Sequence, residues 1–205
     1  MIRFFDVLFS FLGLILLFPF FVIISLLIIC TSGFPFFYFQ TRVGKNNKDF
    51  TLYKFRTMNK NADKKGLLTV GNNDARVTKI GHFLRKLKLD ELPQLWNVLI
   101  GTMSFAGPRP EVRKYVDLYT DEQKRVLTVR PGITDYASIA FVNENQLLVQ
   151  SDDSEKYYIE VIMPEKLKTN LLYIENQSIK EYFRILFLTG ILLFYKKTHF
   201  ANTSG

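Results

Sequence analysis

The chain has 205 residues, 48% of them hydrophobic and 22% charged, with 27 Lys and Arg against 19 Asp and Glu for a formal charge of +8. This length suits one domain with a real core, and the basic balance suits anionic partners such as phosphorylated substrates, an acidic membrane face or nucleic acid. A single cysteine, Cys30, excludes an internal disulfide, and the two histidines, His82 and His199, support neither a zinc cluster of familiar spacing nor a Ser-His-Asp grouping.

The mean hydropathy of +0.06 averages two unlike parts. Residues 7–41 hold no Asp, Glu, Lys, Arg or His. That run is too long and unbroken for a signal peptide, and no small-residue cleavage site follows it. As one helix it would stretch to roughly 50 Å, beyond a hydrocarbon core of about 30 Å. Two geometries fit. One is a single span using about 20 of these residues. The other is a re-entrant hairpin broken at Pro19 into arms Val7–Phe18 and Phe20–Cys30, each about 17 Å long. The basic residues that follow, Arg42, Lys45, Lys48, Lys54 and Arg56, put the polar part in the cytoplasm under either geometry. The charge shift divides the chain into a membrane segment, 1–41, and a cytosolic domain, 42–205.

Along that domain, FTLYKFRTM (Phe50 to Met58) alternates apolar and polar residues and predicts a strand. Residues 59–74 are polar with two glycines and predict a loop. Ile80, Phe83, Leu84 and Leu87 fall at i, i+3, i+4, i+7, as do Leu92, Leu95, Trp96 and Leu99, predicting two amphipathic helices. Pro93 suits the first position of the second helix and Gly101 its C-terminal cap. Glu111–Val126 is a third helical candidate, and RPGIT (Arg130 to Thr134) reads as a turn. Phe183–Tyr195 is apolar except for Arg184 and too short to span a bilayer, which predicts a buried or interfacial helix. The expected fold class is α+β, mainly helical: a membrane segment followed by a cytoplasmic domain docked on the membrane through amphipathic helices.

KLDELPQLWNVL (Lys88 to Leu99) sets Asp90 and Glu91 at the joint between the two helices. Alone, adjacent acids usually cap a helix start, where orphan amides and the dipole favour carboxylates and phosphates alike. Here Arg85, Lys86 and Lys88 stand on one side and GPRP (Gly107 to Pro110) on the other. The prolines restrict the backbone around Arg109, so its planar fork has little entropy to lose. Singly, these read as a solvated helix face and a proline-rich loop. Together they suit phosphoryl chemistry, in which one or two carboxylates hold Mg²⁺ with substrate phosphates and cations neutralise the non-bridging oxygens. A membrane-tethered basic module binding lipid or nucleic acid fits the charge and the anchor. It needs no acid pair, however, and the aromatics form no RNA-binding platform. A phosphatase or pyrophosphatase would use the same acids on a lipid phosphate.

RKLKLDELPQLWNVLIGTMSFAGPRPE (Arg85 to Glu111) closely resembles the signature of the bacterial sugar transferases, specifically the small monotopic phosphoglycosyl transferases. The resemblance continues through KFRTM (Lys54 to Met58), NDARVTKIGHFLRK (Asn73 to Lys86), VRPGIT (Val129 to Thr134) and MPEKL (Met163 to Leu167). It implies transfer of a phospho-sugar from a UDP-sugar to undecaprenyl phosphate, releasing UMP, with Mg²⁺, at the bacterial inner membrane with the catalytic domain facing the cytoplasm. Such a step starts assembly of a capsule, O-antigen, exopolysaccharide or glycoprotein glycan. Asp90 would match the aspartate that attacks the β-phosphate and becomes a phospho-sugar adduct. Glu91 would assist as a base or in arranging metal and acceptor, the two acids being the metal ligands. Arg109 would match the phosphate-binding arginine. Arg85, Lys86, Lys88, Lys54, Arg56, Arg76 and Thr134, which lie in the matching motifs, are further substrate-binding candidates.

The resemblance also implies a re-entrant membrane helix broken at a Ser-Pro pair, favouring the hairpin, although the break here reads Phe18-Pro19. The commoner PGITG is PGITD in this chain, with Asp135 replacing glycine and Ser138 where glutamine is frequent; these changes bear on sugar identity rather than reaction class. Larger members carry transmembrane helices ahead of this domain, so the chain is expected to be the minimal catalytic unit. The expected partners are a UDP-sugar, undecaprenyl phosphate and membrane lipids, with no nucleic acid. A homo-oligomer is compatible with the sequence.

Overall fold

The structure, a computed structural model, describes residues 1–60, 62 and 74–201, with side chains to residue 193. Helix α1 (Ile2–Ser32, 31 residues) continues through Pro19, which lacks an N–H and so leaves the carbonyl one turn back without its helical donor. It is long and apolar enough to cross a membrane, and its middle is open, with Leu16 76% and Phe18 66% exposed.

Both ends of α1 are fastened to the rest of the chain. Arg3 donates from Nη1 to Val98 O (2.5 Å) and from Nη2 to Leu99 O (2.7 Å). The buried Asp6 accepts at Oδ1 from Ser104 Oγ (3.0 Å), Phe105 N (3.1 Å) and Tyr182 OH (3.0 Å). At the other end Ile24 and Ile28 pack with Phe55 and Leu84, and Arg56 Nη2 donates to Ser32 O (2.7 Å) and Gly33 O (2.5 Å).

Strands β1 (Phe37–Val43) and β2 (Asp49–Phe55) form an antiparallel hairpin in register from Phe37↔Phe55 to Val43↔Asp49. Asn46 and Asn47 turn it at φ 57 and 59, a left-handed geometry asparagine tolerates. The predicted strand thus ends at Phe55, and the loop predicted over 59–74 lies largely outside the described residues. Helix α2 (Lys79–Lys86) starts where Thr78 Oγ1 accepts from Gly81 N (3.0 Å), an ordinary hydroxyl cap. A 3₁₀ turn over Leu89–Glu91 leads into α3 (Gln94–Ile100), which Gly101 closes at φ 90 as a left-handed cap. Pro93 is the residue before the first helical position rather than that position, because the 3₁₀ turn already supplies helical geometry up to it.

Strand β3 (Ser104–Ala106) is followed by α4 (Arg113–Val116) and a 3₁₀ segment over Gln123–Thr128. The single helix expected over Glu111–Val126 does not form. Thr120 and Gln123 cap each other, N–H to Oε1 at 2.9 Å and N–H to Oγ1 at 3.2 Å, so a new turn begins in the middle of that span. RPGIT is likewise not a simple turn, since β4 (Gly132–Thr134) pairs in parallel with β3. A Cβ on Gly132 would overlap the Gly107 backbone, so this crossing needs glycine.

The rest is helical: α5 (Tyr136–Ala140), α6 (Glu144–Val149), α7 (Ser154–Tyr157), a π-helical turn over Tyr158–Ile162, α8 (Met163–Glu175) and α9 (Ile179–Ala201). No sequence expectation covered α8. Helix α9 exceeds the predicted Phe183–Tyr195 because charged residues occupy its outer turns; Ser178 Oγ accepts from Glu181 N (3.2 Å) at its start. A core of Tyr115, Val116, Val126, Tyr158, Ile162 and Leu167 joins α4 to α8. A second cluster of Ala106, Tyr173, Tyr182 and Ile185 joins β3, α8 and α9. The architecture is mainly helical α+β, as expected.

Asp6→Ala would orphan two buried donors, Ser104 Oγ and Tyr182 OH, each costing about 1–3 kcal/mol, and the half-buried Phe105 N–H. The variant is expected to lose about 3 kcal/mol or more in chemical unfolding of the detergent-solubilised protein; a loss below about 1 kcal/mol would show that Asp6 is no fastener.

Candidate active site

Lys88 leaves α2 at φ 58, a left-handed conformation costing a non-glycine residue about 1 kcal/mol. This turns the chain into the 3₁₀ segment and sets the two acids beside β2 and the loop after β3. Glu91 is held on both oxygens. Arg109 donates from Nη1 to Oε2 (3.2 Å) and from Nη2 to Oε1, while Lys54 Nζ reaches Oε1 at 3.3 Å. Burial works against ionising this carboxyl, yet the Arg109 and Lys54 charges hold it well below the usual carboxylate range. The same Glu91 charge pushes Arg109 up, while burial pushes the Lys54 ammonium down.

Asp90 is the opposite case. It is 7% exposed and its Oδ1 has no hydrogen-bond partner. Burial, then the neighbouring Glu91 charge, raises its pKa, and Lys54, Lys88 and Arg85 only partly offset this. Two adjacent carboxylates are thus driven apart, one locked in an ion cluster and one costly to ionise.

The loop carrying Arg109 is pinned at every residue. Gly107 N donates to Thr134 O (3.0 Å), and Pro108 O accepts from Gly132 N (3.0 Å). Arg109 N donates to Asp135 Oδ2 (3.1 Å), Pro110 O accepts from Arg42 Nη1 (3.0 Å), and Glu111 O accepts from Val43 N (2.9 Å). Arg109 Nη1 also donates to Ile133 O (3.0 Å). The loop leaves the carboxyl end of β3 beside that of β4, the side of a parallel sheet where ligands bind. Asn97, fully buried, ties α3 to β2: its Oδ1 accepts from Tyr53 N (3.0 Å), and its Nδ2 donates to Thr51 O (2.7 Å) and Thr102 Oγ1 (3.1 Å).

Of the residues singled out in the sequence, Asp90, Glu91, Arg109 and Lys54 come together, with Arg85 and Lys88 in the field of Asp90. Arg85 Nε donates to Thr57 Oγ1 at 2.8 Å, and Lys86 lies on the exposed face of α2. Others are placed elsewhere. Arg56 caps the end of α1, and Arg76 grips Asp74 through Nε (2.9 and 3.0 Å) and Nη2 (2.6 Å). Thr134 Oγ1 meets Thr189 Oγ1 on α9 at 2.8 Å. Sequence reasoning gave no role to Asp6 or Asn97 and connected Asp135 only with sugar identity. For Asp6 a signal existed, since a charge bordering an apolar run is expensive unless partnered.

Among the described residues no group of three or more His, Cys, Asp or Glu could hold a metal. A site relying on few protein oxygens fits Mg²⁺, which keeps most of its shell for water and phosphate. The orphaned Asp90 Oδ1 suits such an ion, while Arg109 and Lys54 already share the Glu91 oxygens.

Comparison with known proteins places these residues in context. A family model described as bacterial sugar transferase matches residues 1–196. The UDP-glucose:undecaprenyl-phosphate glucose-1-phosphate transferase of Klebsiella pneumoniae is 36% identical over 196 residues, 94% of this chain and 40% of that protein. The UDP-N-acetylgalactosamine-undecaprenyl-phosphate N-acetylgalactosaminephosphotransferase of Aeromonas hydrophila is 42% identical over 137 residues, 65% of this chain and 32% of that one. Exopolysaccharide production protein ExoY of Sinorhizobium fredii is 39% identical over 157 residues, 69% and 70% of the two chains. The first two matches span well under half of those relatives' lengths.

The raised pKa of Asp90 carries a stability prediction. A buried acid with a raised folded pKa contributes its full stability below the unfolded value, about 3.9, and loses it as pH rises through the folded value. Asp90→Asn removes that loss. Melted in detergent with EDTA, the variant should melt above wild type at pH 7–8, with the gap closing towards pH 4. An equal or lower melting point at pH 7 would contradict the assignment.

Proposed function

We propose that this chain, which belongs to the bacterial sugar transferase family, transfers a sugar phosphate from a UDP-sugar to undecaprenyl phosphate and so initiates assembly of a bacterial glycan. The observation that carries this reading is the divided acid pair: Asp90 keeps an uncommitted buried oxygen, while Glu91 holds Arg109 and Lys54 beside it. Two relatives are named for this kind of transfer with different sugars, glucose in one and N-acetylgalactosamine in the other, and the sugar used here is left unassigned.

Asp90 is the nucleophile. Its carboxylate oxygen attacks the β-phosphorus of the donor, the bond from that phosphorus to the bridging oxygen breaks, and UMP departs with that oxygen and its electron pair. The resulting acyl phosphate splits one transfer between two bulky anions into two steps. A phosphate oxygen of undecaprenyl phosphate then attacks the same phosphorus, and Asp90 leaves as a carboxylate. Arg109 and Lys54 meet the negative charge of the diphosphate, Arg109 through the N–H groups that Glu91 and Ile133 leave free and the ammonium as a point charge. Glu91, kept ionised at neutral pH, is a weak proton acceptor and serves to organise these cations. Asp90 would be the residue to hold Mg²⁺, which when bound would supply further neutralising charge.

The reaction runs at the cytoplasmic face of the inner membrane, with α1 bent at Pro19, where a helical hydrogen bond is missing, so that it enters the bilayer and returns. What supports this is that Arg3 and Asp6 near one end of α1, and Ser32 and Gly33 at the other, bond to one and the same domain. A span would carry one of those ends about 30 Å away. Exposed apolar residues on α2 and α3, including Phe83, Trp96 and Ile100, suit an interfacial seat.

Enzyme, UDP-sugar and Mg²⁺ without acceptor should release about one equivalent of UMP from a panel of donors, and the Asp90 peptide should gain the mass of a phospho-sugar. Asp90→Asn should abolish both signals. Inorganic phosphate in place of UMP, or an adduct on another residue, would overturn the mechanism. For topology, a cysteine placed beside Arg3 in a Cys30→Ser background should resist labelling from the periplasm; efficient periplasmic labelling would establish a span.

A further inference from the structure

Asp135 stands where β4 ends and α5 begins, and it is fully buried. Its Oδ2 accepts from the Arg109 backbone N–H (3.1 Å) and its Oδ1 from the Ser138 N–H (2.6 Å). Each oxygen therefore holds one of the two segments leaving the carboxyl ends of the parallel pair: the loop bearing Arg109 and the first turn of α5. A cap alone would be served by serine, threonine or asparagine. Holding both segments requires an acceptor on each branch of the side chain. A carboxylate has that, an amide has one acceptor and glycine has none. Asp135 also lies in the electrostatic reach of the Arg109 guanidinium, so it bears on both the backbone and the charge of that residue.

We propose that Asp135 is a positioning residue for Arg109: its carboxylate sets the backbone from which the fork is presented to the donor's diphosphate. This rests on Arg109 being the phosphate fork. The other fixed points of the loop are backbone carbonyls and N–H groups, apart from Arg42 on Pro110; Asp135 is the side chain acting on Arg109's own peptide. A bidentate contact is sensitive to angle, and a rotation of that peptide would cost one of its two bonds while leaving the charge in place.

UDP is the probe, titrated calorimetrically with Mg²⁺ into the full chain in nanodiscs. Asp135→Asn and Asp135→Gly are each measured alone, with Arg109→Ala and with Lys54→Met, and their melting points are recorded. Asp135→Asn should weaken UDP binding about tenfold. In the Arg109→Ala background it should add less than about twofold, while with Lys54→Met its effect should persist in full, since only sites sharing a contact couple strongly. Asp135→Gly should behave as Asp135→Asn or worse. An Asp135 effect that adds fully to Arg109→Ala, or unchanged UDP affinity in both variants, would overturn the proposal. So would loss of folding in both, which would make Asp135 a determinant of the fold. If wild type itself neither binds UDP nor releases UMP, the reading of Arg109 fails first, and that result is distinct from wild-type binding with an inert Asp135.

Discussion

A glutamate buried with its charge intact constrains the whole catalytic region. Glu91 can be ionised there only because an arginine fork and a lysine reach it, since an unpaired buried carboxylate would cost several kcal/mol or neutralise. Each partner places a demand on the fold. Lys54 requires β2 beside the start of α3, which the Asn97 side chain secures by bonding to the backbone of Thr51 and Tyr53. Arg109 requires a rigid loop, which requires β3 and β4 side by side, which in turn requires glycine where their backbones meet. Removing one link would leave a charge unpaired rather than merely loosen a contact.

The attachment of α1 follows similar logic with the polarity reversed. The middle of the helix is apolar and open, while polar groups gather near its ends: Arg3 on the last carbonyls of α3, Asp6 among three donors, Arg56 on the terminal carbonyls of α1. A helix C-terminus leaves carbonyls without partners, and here guanidinium groups from distant parts of the chain satisfy those of α1 and α3. The apolar helix is thereby a structural member of the catalytic domain and not a tether joined to it by one flexible link.

The sequence was legible where chemistry is local. The stripes of α2 and α3 showed because one turn repeats the next, although only Leu84 and Leu95 of those stripes are buried while Phe83, Leu87 and Trp96 are exposed. Periodicity reports an apolar face without saying whether protein or lipid covers it. The acid pair stood out for the density of charge around it. What was hidden depended on partners distant in sequence. The five residues of RPGIT, with their Pro-Gly step, look like a turn until β3 lies alongside them. Arg56 shares a motif with Lys54 and Arg76 sits in another as suggestive, yet one guanidinium caps α1 and the other grips Asp74. Asp135 registered as an unusual residue, but its two bonds connect segments that only the parallel pairing brings together.

The Asp6 junction also imposes an order on how the chain is assembled. Its bond to Tyr182 closes a separation of 176 residues, among the longest loops the chain can close. A chain emerging from the ribosome offers α1 to the bilayer long before Tyr182 exists, and domains fold as synthesis supplies their parts. Until then Asp6 sits at the edge of an apolar helix with its acceptor incompletely satisfied and water its ready partner. The bond from Tyr182 to Asp6 is therefore among the last contacts of the fold to form. The last helix made completes the fastening of the first, so a chain cut short before α9 would hold α1 and the Asp90–Glu91 pair without the bond that fixes their spacing.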